Sequence, residues 1–362
     1  MTFKNLYDTI MEDIRKEKST MIQKPIWETQ QYSKSEINNA AKIFLSSSSD
    51  QERDASLKII DNWRAVHAYP LNTIYKDLIQ QNPDAIVAQR LKRLDSIINK
   101  IERFPDMQLY KMQDLGGARV ILDTTNNVYE TIERYKTSTS HTNIFKREYD
   151  YIKNPKESGY RSYHMVYQYQ DNTNDTYNKN IFIEIQVRTK LQHIWATAVE
   201  MMGLYTRSNL KSSQGNKDIL KFLTLASSIF ALKERMPVCP NTSDNINDLI
   251  YELAELDNKH NILFMLKGLS VSMKDMPLHI DDGYYLLSLD YNNMEIYVAP
   301  FNENDLPLAT RAYNELEKRM DKTTGNVVLV ATNKFDTLKE AYPNYFADIN
   351  NFIFIMMELL KY

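Results

Sequence analysis

The chain has 362 residues, 43% hydrophobic and 25% charged, with a formal net charge of −3. That balance supports more than one packed core and excludes a broadly basic nucleic-acid coat, although a local basic groove would not register in the total. Eight glycines exclude a glycine-cradle nucleotide fold of the usual kind, and a single cysteine, Cys239, excludes a disulfide framework or a cysteine-based zinc cage. One free thiol points to a reducing compartment, so a cytoplasmic protein is expected. Since no stretch approaches the ~18 apolar residues of a membrane span, no membrane partner is expected.

From residue 6 to about 81 the pattern is helical. Ser33 caps a run through Ile37, Ala40, Ala41 and Phe44, and Asp50 opens another carrying Leu57, Ile60 and Trp63. These helices are expected to cap the segment beyond Pro83. After Pro83, short β-type runs at 120–122, 163–169 and 181–187 are separated by helical stretches such as 125–135. Helical periodicity returns over 191–232 and ends at Pro237 and Pro240. One or two further helices are expected over 245–270, and Pro277 opens a second alternation. It comprises strands at 284–290 and 295–299 joined at Asn292 and Asn293, a helix over 305–320, a strand over 327–331 and a last helix over 349–360. The expected fold class is α+β: a mixed-sheet core flanked by helices over 1–240, connecting helices over 241–276, and a small separate α+β domain over 277–362.

Four clusters carry chemistry. The first is Arg90, Lys92, Arg93, Ser96, Lys100 and Arg103. A strand would set Arg90 and Lys92 on one face, and a helix from Asp95 would set Ser96, Lys100 and Arg103 on one stripe. Converging cations repel one another unless an anion such as polyphosphate sits among them, though a solvated basic helix face has the same pattern. The second runs from Asp114 through Gly116 and Gly117 to Arg119, where a carboxylate can reach a hard cation; a simple turn is the alternative. The third, Asp150 to His164, passes through Pro155, Lys156, Gly159 and Tyr160 and makes a natural lip for a base, or an ordinary aromatic loop. The fourth sets Glu184, Gln186 and Arg188 on one face of a strand whose other face is apolar, which fits a cleft wall or an amphipathic edge strand. Together they supply base stacking, charge neutralisation, paired carboxylates for a metal, and a general base.

In this order the segments resemble the RelA/SpoT synthetase domain, particularly the stand-alone small alarmone synthetases, over about 33–236 and including the stretch 62–71. The resemblance implies a nucleotidyltransferase-like core in which Arg90 and Arg119 sandwich the adenine of ATP. Lys92, Ser96, Lys100 and Arg103 would bind its phosphates, with Lys100 and Arg103 also serving catalysis. Asp114 and Glu184 would hold Mg²⁺, and Glu184 would activate the acceptor hydroxyl. Tyr160 would stack on the acceptor base, and Lys156, His164, Gln186 and Arg188 would complete the acceptor contacts. The implied reaction is attack of a ribose 3′-OH on the β-phosphorus of ATP with release of AMP. Since the hydrolase His-Asp pair is absent from the sequence, synthesis without hydrolysis is expected.

Ordinary members use GDP or GTP as acceptor, whereas toxic relatives modify the 3′ end of tRNA. The stretch 341–346 is similar to the Tyr-x-x-Tyr neutralising motif of CapRel-type fused toxin–antitoxin members, in which a C-terminal domain covers the ATP site until a phage capsid protein pulls it away. That similarity implies autoinhibition by Tyr342 and Tyr345 through contact between the two domains; the alternative packs both tyrosines within their own domain. The leading expectation is a self-inhibited ATP:tRNA 3′-pyrophosphokinase of anti-phage defence that blocks translation. The alternatives are a (p)ppGpp synthetase with a regulatory C-terminal domain, or a nucleotide- or phage-sensing module without catalysis. A tRNA acceptor needs a basic track, for which Arg207, Lys211, Lys217, Lys221, Lys233 and Arg235 are candidates if they share a face.

Overall fold

The computed structural model describes residues 3–20, 27–138, 142–173, 175–205, 216–268, 283–293, 295–321, 324–332, 341–342 and 349–361. Four helices come first: α1 (Phe3–Thr20), α2 (Lys34–Ser46), α3 (Asp50–Val66) and α4 (Ala68–Gln81). Ser33 caps α2 in a reciprocal capping box with Glu36, and Ser49 caps α3 by accepting from the Glu52 N–H, so each start is written in the local sequence. The core comes next as β1 (Ile86–Leu91), α5 (Leu94–Arg103), β2 (Gly116–Leu122), α6 (Thr125–Thr137), β3 (Ile144–Asp150), β4 (Tyr163–Gln168) and β5 (Phe182–Thr189). A helical layer succeeds it, α7 (Lys190–Tyr205), α8 (Lys217–Lys233), α9 (Ile246–His260) and α10 (Ile262–Gly268). The chain closes with β6 (Gly283–Asp290), β7 (Glu295–Asn302), α11 (Leu306–Arg319), β8 (Gly325–Thr332) and α12 (Asn350–Leu360).

The strands form one mixed sheet in the order β3-β4-β5-β2-β1-β8-β6-β7, in which β2 and β5 run parallel and every other neighbouring pair is antiparallel. Sequence periodicity leads one to expect a sheet of its own after residue 277. Instead β8 pairs with β1 through Ala88↔Thr332, Gln89↔Ala331 and Arg90↔Val330, so the C-terminal strands extend the first sheet. The physical reason is the edge: β1 would otherwise present a row of unpaired N–H and C=O groups, and β8 satisfies them.

One face of the sheet is mainly apolar, with Gln89 and Ser288 as buried polar members. Val87, Ala118, Val120, Ile183, Ile185, Met165, Val327 and Leu329 pack into a single core with residues of α4, α6 and α11. The other face divides. Over the C-terminal strands it is apolar, with Tyr285, Leu287, Val328 and Val330 packed with Ala341 and Tyr342. Over β1, β2, β5, β4 and β3 it carries the polar clusters. Beside it stands a second core, built by α7, α8, α9, α10 and α12 around Trp195, Phe222, Phe230 and Phe352.

Candidate active site

Strand register brings the clusters into two rows. Ala88, Arg119, Gln186, His164 and Tyr149 are successive partners across β1, β2, β5, β4 and β3. Arg90, Gly117, Glu184, Val166 and Arg147 form the neighbouring row. Partners across one face stand about 4.8 Å apart, so residues far apart in sequence become contiguous. β5 is internal rather than an edge, and Glu184 and Gln186 are half-buried on its polar face. Gly117 lies between Arg90 and Glu184 and leaves the floor bare between them. Gly116 and Gly117 belong to β2 and not to a flexible turn; a Cβ at Gly116 would come within 2.7 Å of Ile183 Cδ1.

Two carboxylates are held by bases. Lys92 Nζ and Lys100 Nζ donate to the same Asp114 oxygen, Oδ2, at 2.8 and 2.9 Å. Lys92 sits just past β1, with its N–H on Leu115 O at 2.8 Å, and Lys100 lies in the last turn of α5. Burial favours the neutral Asp114 acid, but the two ammonium groups outweigh it and hold the carboxyl below its usual range. Asp114 Oδ1 is buried without a hydrogen-bond partner. Ser96 is half-buried on α5 and Arg103 is exposed at its end.

Glu184 accepts from His164 Nδ1 at 2.9 Å and from Gln186 Nε2 at 2.7 Å. His164 Nε2 in turn meets the Tyr160 hydroxyl at 2.8 Å. Burial opposes charge on the imidazole, yet Tyr160 and Glu184 prevail and push it up to about 9. Burial raises Glu184 as well, and His164 reverses it, so the carboxyl lies below its ordinary value; Asp114 acts on it electrostatically in the opposite sense. The two groups that meet the ring nitrogens, Tyr160 and Glu184, are thus the ones that raise its basicity.

Arg90, Arg119 and Arg188 lie on this same face and repel one another. Burial lowers the Arg119 pKa first and Arg90 next; for Arg188 burial comes first and Arg119 next. Nε of Arg119 and Nε of Arg188 are both buried and without partners, while the Arg188 guanidinium also touches His193 Nδ1. Buried guanidinium N–H groups left open in a cationic cluster suit a polyanion. Glu200 of α7 lies within electrostatic range of Arg119 and Arg188. Sequence reading passed over it, although Glu200 comes seven residues after His193 on one helical stripe.

The lip loop is locked from below. Gly159 adopts φ +87°, and a Cβ there would come within 2.9 Å of Trp195 and 3.0 Å of Ser227. Arg161 is buried and donates to Ser227 Oγ at 3.0 Å and Ile152 O at 3.0 Å. Lys156 is exposed, with Nζ 5.3 Å from the Tyr160 ring centroid.

Tyr342 is 3% exposed and its hydroxyl donates to Gln89 O at 2.8 Å, one residue before Arg90. Its phenol lies within electrostatic range of Arg119. Tyr345, Pro343, Pro277, Arg207 and Lys211 lie outside the described residues. Of the remaining candidates for a basic track, Lys221 is paired with Glu252.

Residues 89–209 match the family described as a region found in RelA / SpoT proteins. Over 129 residues the chain is 33% identical to GTP pyrophosphokinase YjbM of Bacillus subtilis (strain 168), covering 35% of this chain and 60% of that protein. It is 28% identical over 123 residues to GTP pyrophosphokinase YwaC of the same organism, covering 32% and 56%. The chain thus spans about 60% of the length of these relatives. Superposition on small alarmone synthetase 1 from Bacillus subtilis covers 46% of this chain and 90% of that chain, at 25% identity and a TM-score of 0.39. The chain therefore carries a RelA/SpoT-type region, and that region holds Arg90, Asp114, Arg119, Tyr160, His164 and Glu184.

Proposed function

We propose that this chain transfers the β,γ-pyrophosphate of ATP to a ribose 3′-hydroxyl. The observation that carries this reading is the joining, on one sheet face, of three guanidiniums and the His164-held Glu184, with the lysine-held Asp114 in the loop before β2 within electrostatic range of Glu184. The matched relatives are named GTP pyrophosphokinases, in agreement with it.

In this reading the arginines, with Lys92 and Lys100, receive the triphosphate, and adenine stacks between Arg90 and Arg119. Ser96 and Arg103 extend the phosphate contacts along α5. Tyr160 and Lys156 take the acceptor base, while His164, Gln186 and Arg188 hold its sugar and phosphates. The acceptor 3′-oxygen forms a bond to the β-phosphorus as the bond from that phosphorus to the α-β bridging oxygen breaks, and AMP leaves. The hydroxyl proton passes to Glu184, which His164 holds ionised. Asp114 with its open Oδ1, together with Glu184, suits a hard cation such as Mg²⁺, which neutralises phosphate charge when bound.

For the acceptor, the reading favours the 3′ end of tRNA, with GDP or GTP as the second reading that the relatives' names support. Residues 277–362 act as a regulatory unit in this scheme, and Tyr342, whose phenol lies within electrostatic range of Arg119, would compete with adenine for that arginine. The similarity of 341–346 to a neutralising motif extends this to Tyr345 and to release by a phage capsid protein. The test offers full-length protein γ-labelled ATP with GDP and GTP, or with deacylated tRNA. Label on tRNA supports the leading reading, and label on guanine nucleotide alone replaces it with a (p)ppGpp synthetase. Absence of label and of AMP with every acceptor, in the Tyr342→Ala variant as well, removes the pyrophosphokinase reading.

A further inference from the structure

The acceptor row does not stop at His164. Its next member, Tyr149, stands on β3, the outermost strand, and is 41% exposed. Tyr149 stacks on Tyr151 with ring centroids 5.7 Å apart and planes within 3°. Tyr151 meets Tyr160 at 6.0 Å and His164 at 5.3 Å, edge to face in both cases. The aromatic run is therefore continuous from the proposed acceptor base out to the sheet edge.

Cations are interleaved with these rings. Lys156 Nζ sits 4.4 Å from the Tyr151 centroid, and Arg147 Nη1 donates to the Tyr149 hydroxyl at 3.3 Å. Arg147 shares the site face, in the row of Glu184. The acids that flank Tyr149 on β3 are committed elsewhere: Glu148 pairs with Lys136, and Asp150 accepts from Tyr129 and from the N–H groups of Ile152 and Lys153. Stacked aromatic rings alternating with positive charge form a base-stacking track for a single-stranded polynucleotide, because every base has a π-face and every linkage a negative charge. A free nucleoside di- or triphosphate has one base, which Tyr160 already takes, and nothing to place on Tyr149.

We infer that Tyr149 and Tyr151, with Arg147 and Lys156, form a second base subsite that holds the penultimate bases of a single-stranded RNA whose 3′-terminal nucleotide occupies the acceptor site. This rests on the acceptor reading of Tyr160 and deepens it: the substrate class is a polynucleotide 3′ end and not a mononucleotide. The track lies on the β3 edge of the sheet, whereas Tyr342 packs over β1, β6 and β8.

The test measures equilibrium binding of a 5′-fluorescein single-stranded oligoribonucleotide with a free 3′-OH to the full chain, by anisotropy, with GDP affinity measured alongside. Tyr149→Ala is expected to weaken oligoribonucleotide binding about tenfold, within the range of one lost base–aromatic stack. GDP affinity should stay within about twofold, and Tyr149→Phe should keep wild-type affinity for both. Unchanged oligoribonucleotide binding in Tyr149→Ala, or an equal loss for both ligands, overturns the subsite. If the binding pattern holds while no acceptor takes label from ATP, the pyrophosphokinase reading falls and the RNA subsite stands.

Discussion

His164 is the residue whose chemistry departs furthest from its free form. Its raised pKa, near 9 against an ordinary 6.5, results from Glu184 on one nitrogen and the Tyr160 oxygen on the other, against the cost of burial. A group whose folded value lies above its unfolded one contributes stability in full below about pH 6.5 and loses it as pH rises through about 9. NMR titration of the ring should give a midpoint above 8, and one near 6.5 would count against the pairing. Glu184→Gln removes the partner and should bring that midpoint down. The same substitution should lower transfer by about two to four orders of magnitude, the range typical of a lost general base, and rapid turnover in single-turnover assays would exclude Glu184 from proton transfer. Gly159→Ala tests the lip: positive φ and two close neighbours make it destabilising by about 1–3 kcal/mol, read as a lowered urea midpoint.

At the scale of elements, α5 depends on a distant helix. Glu317 of α11 accepts the Leu94 N–H at the start of α5 at 2.9 Å and the Tyr313 hydroxyl at 2.9 Å. Its other oxygen receives Arg64 Nη1 of α3 at 2.5 Å, and Arg64 also reaches Asp61 and Asn314. Arg64 is 2% exposed and Glu317 6%, so neither charge has water to fall back on. Glu317→Ala should cost about 1–3 kcal/mol, the range for leaving buried donors without their acceptor, since Arg64 keeps its ion pair with Asp61, and chemical denaturation checks it. The first helical N–H groups of α5 lose an anchor at the same time, so the KM for ATP should rise more than kcat falls. A drop in stability with KM unchanged would separate the two effects.

On the scale of the whole molecule, the sheet decides how regulation can be tested. Removing residues 277–362 would strip β8 from β1, expose an internal edge and take Glu317 from Arg64, so the truncated chain should melt well below the full one. Tyr342→Ala is the cleaner probe, since it leaves the β1 and β8 backbone pairing in place and removes one buried phenol, with its packing and its bond to Gln89 O. It should tighten binding of a non-hydrolysable ATP analogue by about tenfold, one hydrogen bond with its packed ring being of the order of 1–2 kcal/mol. Unchanged affinity in calorimetry would mean that Tyr342 is a core residue and no competitor of adenine.

Much of this was legible without coordinates because it is local. The cap at Ser33, the alternation of Glu184, Gln186 and Arg188, and the helix carrying Lys100 depend on neighbours within a few residues, and local sequence records them. The α+β class came from the same signals. What tertiary structure alone decided is long-range: the β1 and β8 pairing, the Arg64 and Glu317 contact across 253 residues, the Glu200 carboxylate within electrostatic range of the arginines, and Tyr149 opposite His164 at the sheet edge. Strand order is set by which edges need partners and which faces need covering, and those are properties of the folded sheet that no window of sequence contains.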